Sequence, residues 1–374
     1  MNLTLPKRPL GNTGLEVSVL GMGGFHQVEA DQETIDAVVE RYLDAGGNYI
    51  ETAKYGDGAS EQKLGRALAG RRHRTFLVSK TGQRKYEGAW REINESLEWL
   101  RTDHLDVYLF HGLGDAEGLQ TVGGPDGALK AFQRAKDEEL SGHIALSSHW
   151  PMLYVEAAER LPLEAVLIWG NYLDFCNYPE IPRVVLPALR AKGIGITFMK
   201  PLGDGYLHRS PRRALRYALA QDCDCLVAGF NSLGQLEVDL AACCDSTPFT
   251  QQELADCLRE APELGDYVCR QCEDCPVCED AGMLKCVFEL EGKFDRQMDD
   301  RRPPVSAAEY ALRERLKGWF GAQGKAQDAY AELGEPGPRL TETLCAPCSY
   351  GLDAVRKLRI AHAKLSRSER VELL

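Results

Sequence analysis

The sequence predicts an α/β protein, a (β/α)8 TIM barrel followed by a mainly helical, cysteine-rich extension. Three observations carry this. Eight short apolar or β-branched runs recur at intervals of about 25 to 35 residues between Val19 and Cys244. Each run is followed by a stretch with the 3.6-residue apolar period of a helix. Ten of the thirteen cysteines fall in the last 132 residues, a composition shift that marks a boundary near residue 246 and divides the chain into 1–246 and 247–374.

Taken in order, Met1–Val17 reads as a hairpin, because Gly11-Asn12-Thr13-Gly14 supplies turn residues between short apolar pieces. It is expected to plug the N-terminal end of the barrel. Strands are expected over Ser18–Phe25, Asn48–Ala53, Thr75–Thr81, His104–Leu113, His143–His149, Ala165–Tyr172, Gly195–Leu202 and Cys225–Phe230. Between them lie amphipathic stretches such as Tyr86–Thr102, where Trp90, Ile93, Leu97 and Leu100 share one helical face. Ser60-Glu61, Pro151 and Ser210-Pro211 supply first-turn signals for three of the helices. Eight consecutive βα units need right-handed crossovers and close into a barrel more naturally than they open into a doubly wound sheet. An open dinucleotide-binding sheet would place Gly-x-Gly-x-x-Gly after an early strand, and Gly21-Met22-Gly23-Gly24 lacks that spacing.

Composition narrows the function classes. Hydrophobic residues at 44% and charged residues at 27% of 374 suffice for a sizeable core. Lys and Arg number 44 against 56 Asp and Glu, and the net charge of −12 opposes nucleic-acid binding. No run of 18 apolar residues and no secretory h-region occur, so no membrane partner is expected and the expected location is cytoplasmic.

In a barrel of this kind the chemistry lies at the C-terminal ends of the strands. Glu51 ends the second expected strand, Tyr55 follows in the next loop, Lys80 ends the third and His111 the fourth. Carboxylate, phenol, ammonium and imidazole would therefore converge on one mouth. Taken singly, each has a structural explanation as a core or edge residue.

Over Arg8–Ala242 the chain resembles the aldo-keto reductase family. The matching stretches are Pro9–Gly14, Gly47–Ala53, Ser60–Gly65, Val78–Lys80, Leu105–His111 and Met199–Gly203. The resemblance implies hydride transfer between a nicotinamide nucleotide and a small-molecule carbonyl or alcohol. It also implies Tyr55 as the general acid, Lys80 as the cation that eases its deprotonation, His111 as the group orienting the carbonyl, and Glu51 as the holder of the lysine. Two departures stand out: Glu51 occupies the place of the family's usual aspartate, and the four-residue step to Tyr55 is one residue shorter than usual. For the nucleotide, the resemblance points to Ser147 and Asn171 near the carboxamide, and to Lys200, Pro201, Leu202 and Gly203 along the pyrophosphate. Gly229, Asn231, Ser232, Gln235 and Asp239 would lie toward the adenosine. No Lys or Arg falls between Gly229 and Asp239, so NADP and NAD both remain open.

The extension contains Cys269, Cys272, Cys275 and Cys278 at successive three-residue steps, with Cys345 and Cys348 further on. Four thiolates suit zinc or an iron–sulfur cube, and the close repetition favours the cube. This part resembles the ferredoxin-like extension of one branch of the aldo-keto reductases, which implies one [4Fe–4S] cluster on Cys269, Cys272, Cys275 and Cys348, and the helices expected over Ala307–Trp319 and Gly324–Leu333 fit that plan. The expected protein is thus an NAD(P)-dependent oxidoreductase with an accessory cluster, which allows for an electron-transfer partner. The alternative is a catalytically diverged barrel serving as an iron–sulfur redox or partner-binding protein.

Overall fold

A computed structural model describes residues 3–203, 207, 210–260, 269, 275–295, 322–349 and 351–367. The strands in chain order are β1 Lys7–Pro9, β2 Glu16–Ser18, β3 Leu20–Gly23, β4 Tyr49–Glu51, β5 Phe76–Thr81, β6 Leu105–Phe110, β7 Ser141–Ser147, β8 Ala165–Trp169, β9 Gly195–Met199 and β10 Cys225–Ala228. β3 to β10 close into a parallel barrel, with β10 pairing both β9 and β3. The core of β8 and β10 is buried at every position, as parallel strands covered on both faces require. That double burial is why they read as continuous apolar runs.

The strands are shorter than the apolar runs that announce them, because the chain turns as soon as the ladder ends. After β3 it enters a 3-10 turn at Gly24–Val28. After β6, Gly112 takes the left-handed conformation (φ +58°) and redirects the chain. Between β6 and β7 two helices stand where one repeat unit needs only one, Ala116–Val122 and Ala128–Asp137.

β1 and β2 form the expected antiparallel hairpin, with Lys7 opposite Ser18 and Pro9 opposite Glu16. Its Leu10 is fully buried in one cluster with Tyr49, Val107, Leu167 and Val227, residues of four barrel strands. Gly11 (φ +48°) lies so close to β9 that a Cβ there would stand 2.3 Å from the Gly195 nitrogen. The buried Asp224 carboxylate fixes this end of the barrel. It accepts from the Gly11 amide at 3.0 Å and the Ile196 amide at 2.9 Å, and it is gripped by both terminal nitrogens of Arg190.

The chain divides into two compact units, one of Met1–Asn171, Glu180–Pro201 and Ala214–Phe249, the other of Tyr172–Pro179, Leu202–Arg213 and Thr250–Leu374. The second is helical. Helices Ala281–Asp295, Ala322–Glu332 and Ala354–Leu365 share a core that includes Val287, Phe288, Tyr330 and Leu358. Within that core Glu291 is fully buried and receives Lys357 Nζ at 2.5 Å and Lys364 Nζ at 2.8 Å, so its desolvated charge is compensated from both sides. The helix expected over Gly324–Leu333 is present; the one expected over Ala307–Trp319 lies outside the described residues. Among the described residues no helix is long and apolar enough to cross a membrane.

Leu10→Ala removes a side chain packed by four strands, and should lower the stability of the barrel by about 2–5 kcal/mol in a urea titration followed by tryptophan fluorescence. A loss below about 1 kcal/mol would mean that the hairpin does not seal the barrel.

Candidate active site

All eight barrel strands run the same way, so their C-terminal ends open on one mouth. β4 carries Glu51 there, β5 carries Lys80, and His111 directly follows β6. The Lys80 side chain is buried, and its ammonium has three neighbours. It forms an ion pair with Glu51, donates to the Thr52 carbonyl at 2.8 Å, and donates to the Tyr55 hydroxyl at 2.9 Å. The ammonium also lies 4.9 Å from the centre of the Tyr55 ring. Phe25 and His111 meet that ring edge-on, with centroids at 5.0 and 5.7 Å. Tyr55 itself is half-buried, its ring walled on two sides.

Burial pulls the Lys80 pKa below the ordinary lysine value, and the paired Glu51 carboxylate opposes that pull and favours the ammonium. His111 is held well below the usual imidazole range, first by burial and then by the positive charges of Lys80 and Arg84, which favours the neutral ring. Its backbone is tied at both ends: its amide donates to the Thr81 carbonyl at 2.9 Å and its own carbonyl accepts from Arg84 at 3.0 Å.

Beneath the mouth lies a set of acidic groups that periodicity places on polar helix faces. Glu61, on the helix Ala59–Ala67, is fully buried and accepts from the Ser79 hydroxyl at 2.5 Å. Burial pushes its carboxyl up to about 7. Glu92, on the helix Tyr86–Leu100, accepts from the Thr81 hydroxyl at 2.5 Å and from Gln83 at 3.0 Å. Both residues flanking Lys80 on its strand are thus held by buried carboxyl groups. Glu61 belongs to the Ser60–Gly65 stretch already noted in the sequence, whereas nothing in the local pattern marks Glu92.

The sequence profile of the aldo/keto reductase family matches residues 19–214, more than half of the chain. The chain belongs to the aldo/keto reductase family. It is similar to the uncharacterized oxidoreductase YqkF of Bacillus subtilis, with 25% identity over 218 residues covering 55% of this chain and 67% of that one. It is also similar to L-galactose dehydrogenase of Arabidopsis thaliana, with 27% identity over 285 residues covering 63% of this chain and 87% of that one. In fold it resembles the holo form of an aldo-keto reductase from Bacillus halodurans, with a TM-score of 0.59, 24% identity and coverage of 72% of this chain and 98% of that one. This aldo/keto reductase is an oxidoreductase of that type.

The residues of the reductase expected at a nucleotide follow the later strands. Ser147 ends β7, and its buried hydroxyl accepts from the Gly112 amide at 3.1 Å. Asn171 is fully buried and donates to the Lys200 carbonyl at 2.9 Å. Lys200 takes a left-handed backbone (φ +56°), a conformation that non-glycine residues rarely hold. Pro201 follows it in the same unit, while Leu202 and Gly203 belong to the second unit. Gly229 lies against His26, whose ring would collide with any Cβ there. Ser232 caps the helix Leu233–Cys243 by accepting from the Gln235 amide, and Gln235 in turn accepts from the Asn231 amide at 2.9 Å. Asp239 is buried on the inner side of that helix.

In the second unit, Cys269, Cys275 and Cys348 pack against one core, and Cys278 is buried within it. An isolated antiparallel bridge pairs Cys278 with Leu344, and the Cys278 sulfur lies 3.1 Å from the Thr343 hydroxyl. Cys272 lies outside the described residues. Among the described residues no three His, Cys, Asp or Glu side chains are gathered as a metal site would gather them.

Burial pushes the Asp239 carboxyl up to about 7 from an ordinary 3.8. The folded state therefore binds this proton more tightly than the unfolded chain, a contribution present in full below the unfolded pKa and lost as pH rises through about 7. Asp239→Asn should raise the melting temperature at pH 8 relative to the parent protein and shrink the parent's decline between pH 5 and 8. Glu61, raised in the same direction, leaves a residual slope. Parallel melting-temperature curves for the two proteins would show that Asp239 is not a titrating group.

Proposed function

We propose that the protein interconverts a small carbonyl compound and its alcohol, with Tyr55 as the proton donor and acceptor. The observation that carries this reading is the 2.9 Å contact from the Lys80 ammonium to the Tyr55 hydroxyl, with Glu51 paired to the same ammonium. A nicotinamide nucleotide, when bound, supplies or takes up the hydride. Tyr55 gives its phenolic proton to the carbonyl oxygen as negative charge develops there. Lys80 lowers the cost of the phenolate by placing a cation against it in a site with little water. The neutral His111 ring hydrogen-bonds the carbonyl oxygen and sets its direction toward Tyr55. The contact also supports a simple account of the two departures, in which the extra methylene of Glu51 offsets the shorter step to Tyr55.

The nucleotide is held, on this reading, by Ser147, Asn171, Lys200, Pro201, Gly229, Asn231 and Ser232. The donor set fits: a hydroxyl ends β7, an amide and an ammonium follow β8 and β9, and a residue without a Cβ follows β10. NADP(H) and NAD(H) both suit it, since no Lys or Arg lies between Gly229 and Asp239. For the second unit we propose one [4Fe–4S] cluster on Cys269, Cys272, Cys275 and Cys348. The spacing of the cysteines supports this set, and Cys278 is turned to Thr343. Such a cluster would staple the Cys269–Cys278 segment to the 343–348 turn.

Titration with NADH and NADPH should quench tryptophan fluorescence, and turnover should appear with 4-nitrobenzaldehyde in reduction or with L-galactose in oxidation. Tyr55→Phe should lower kcat by about 10²–10⁴-fold while leaving the nucleotide Kd within about twofold. Absence of binding by either nucleotide at millimolar concentration would end this reading. Anaerobically purified protein should be brown and carry about four irons per chain, falling in Cys348→Ser. Stoichiometric zinc without iron would replace the cluster by a zinc site.

A further inference from the structure

We infer that Lys54, clamped by Glu95 and Glu92, is the residue that positions Tyr55 against Lys80. The inference rests on the reading of Tyr55 as the proton donor. Lys54 immediately precedes Tyr55, and its ammonium lies 2.6 Å from a Glu95 oxygen and 3.9 Å from a Glu92 oxygen, both on the helix Tyr86–Leu100. The same ammonium stands 5.1 Å over the Trp99 ring. Trp99 in turn fills the space beside Gly58, where a Cβ would come within 2.5 Å of the ring.

The segment that follows Tyr55 needs such an anchor. Gly56, Asp57 and Gly58 are consecutive left-handed residues, at φ +59°, +53° and +91°. Asp57 pays a steric penalty there that a glycine would not, so the reversal persists only where its surroundings hold it. The clamp supplies this hold on one side of Tyr55. On the other, the Ser60 hydroxyl donates to the Gly24 carbonyl at 2.7 Å. Glu92 also accepts from Thr81, the residue after Lys80. One helical turn thus holds the backbone neighbours of both Tyr55 and Lys80 and fixes their separation.

A half-exposed ion pair contributes little to global stability, whereas displacements of about an ångström are costly in catalysis. Lys54→Met and Glu95→Gln should therefore lower kcat for 4-nitrobenzaldehyde by about 10–100-fold, with KM and nucleotide Kd within about twofold and the melting temperature nearly unchanged. The double variant should be no worse than Lys54→Met alone, and Lys54→Arg should restore most of the rate. A second readout does not depend on turnover. In protein labelled with [13Cζ]tyrosine, the Tyr55 resonance, assigned by its loss in Tyr55→Phe, should titrate at higher pH in Lys54→Met as the phenol loses Lys80. The described charged or titratable groups at that phenol include Lys80 and His111, with Glu51 paired to Lys80, and all three are retained in the variant. Unchanged kcat or an unchanged Tyr55 titration in Lys54→Met, with Tyr55→Phe inactive, would overturn the clamp and leave the proton-donor role standing. Full activity in Tyr55→Phe would overturn the role itself.

Discussion

A lysine ammonium buried in the middle of a parallel barrel costs several kcal/mol unless it is paired and hydrogen-bonded. Lys80 meets that condition through Glu51, the Thr52 carbonyl and the Tyr55 hydroxyl. Much of the surrounding structure serves the same condition. Two of its partners lie on β4 or at its end, one residue apart, so the register that pairs Glu51 with Val78 also brings the carboxylate to the lysine of the neighbouring strand. The third partner sits on the connection between β4 and the helix Ala59–Ala67, four residues beyond Glu51. The ammonium that must be neutralised for the barrel to fold is therefore the one whose charge is presented to a phenol at the mouth, and stability and chemistry draw on a single contact set.

The barrel was legible because parallel strands covered on both faces leave continuous apolar runs, and eight of them in succession leave few other closures. The hairpin was legible from Gly11-Asn12-Thr13-Gly14, whose turn chemistry is local. Strand ends were not, since Gly24 and Gly112 end the ladder within apolar stretches that continue beyond it. The convergence of Glu51, Tyr55, Lys80 and His111 followed from their positions at strand ends, which topology alone brings to one mouth. Lys54 and Glu92 were illegible for the opposite reason, and so was the burial of Glu61. Each is a charged residue in a helix or loop, where periodicity predicts solvent, and each owes its burial or pairing to a partner on another element.

The extension divides differently. Its cysteine spacing is legible because four thiols at three-residue steps form a local pattern that suits a metal or an iron–sulfur cube. Its compact unit also takes in Tyr172–Pro179 and Leu202–Arg213, two segments that follow barrel strands. The short helix Tyr172–Asn177 packs on the helix Ala281–Asp295 in that unit. No composition shift marks these segments, since they are ordinary βα connections in sequence. The buried Glu291 with its two lysines was equally silent, its partners lying 66 and 73 residues away.

The Asp224 carboxylate joins Gly11 to a residue 213 positions later. The hairpin precedes every barrel strand along the chain, yet its seat on β9 and its hydrogen-bonding partner beside β10 belong to the last two of those strands. Without those strands Leu10 has no cavity to enter, and the early strands have no plug. The order of the barrel along the chain and the order of its locking are thus opposed: the hairpin comes before the strands but is fastened on the last of them, so that closing the ring also completes the seat of its floor.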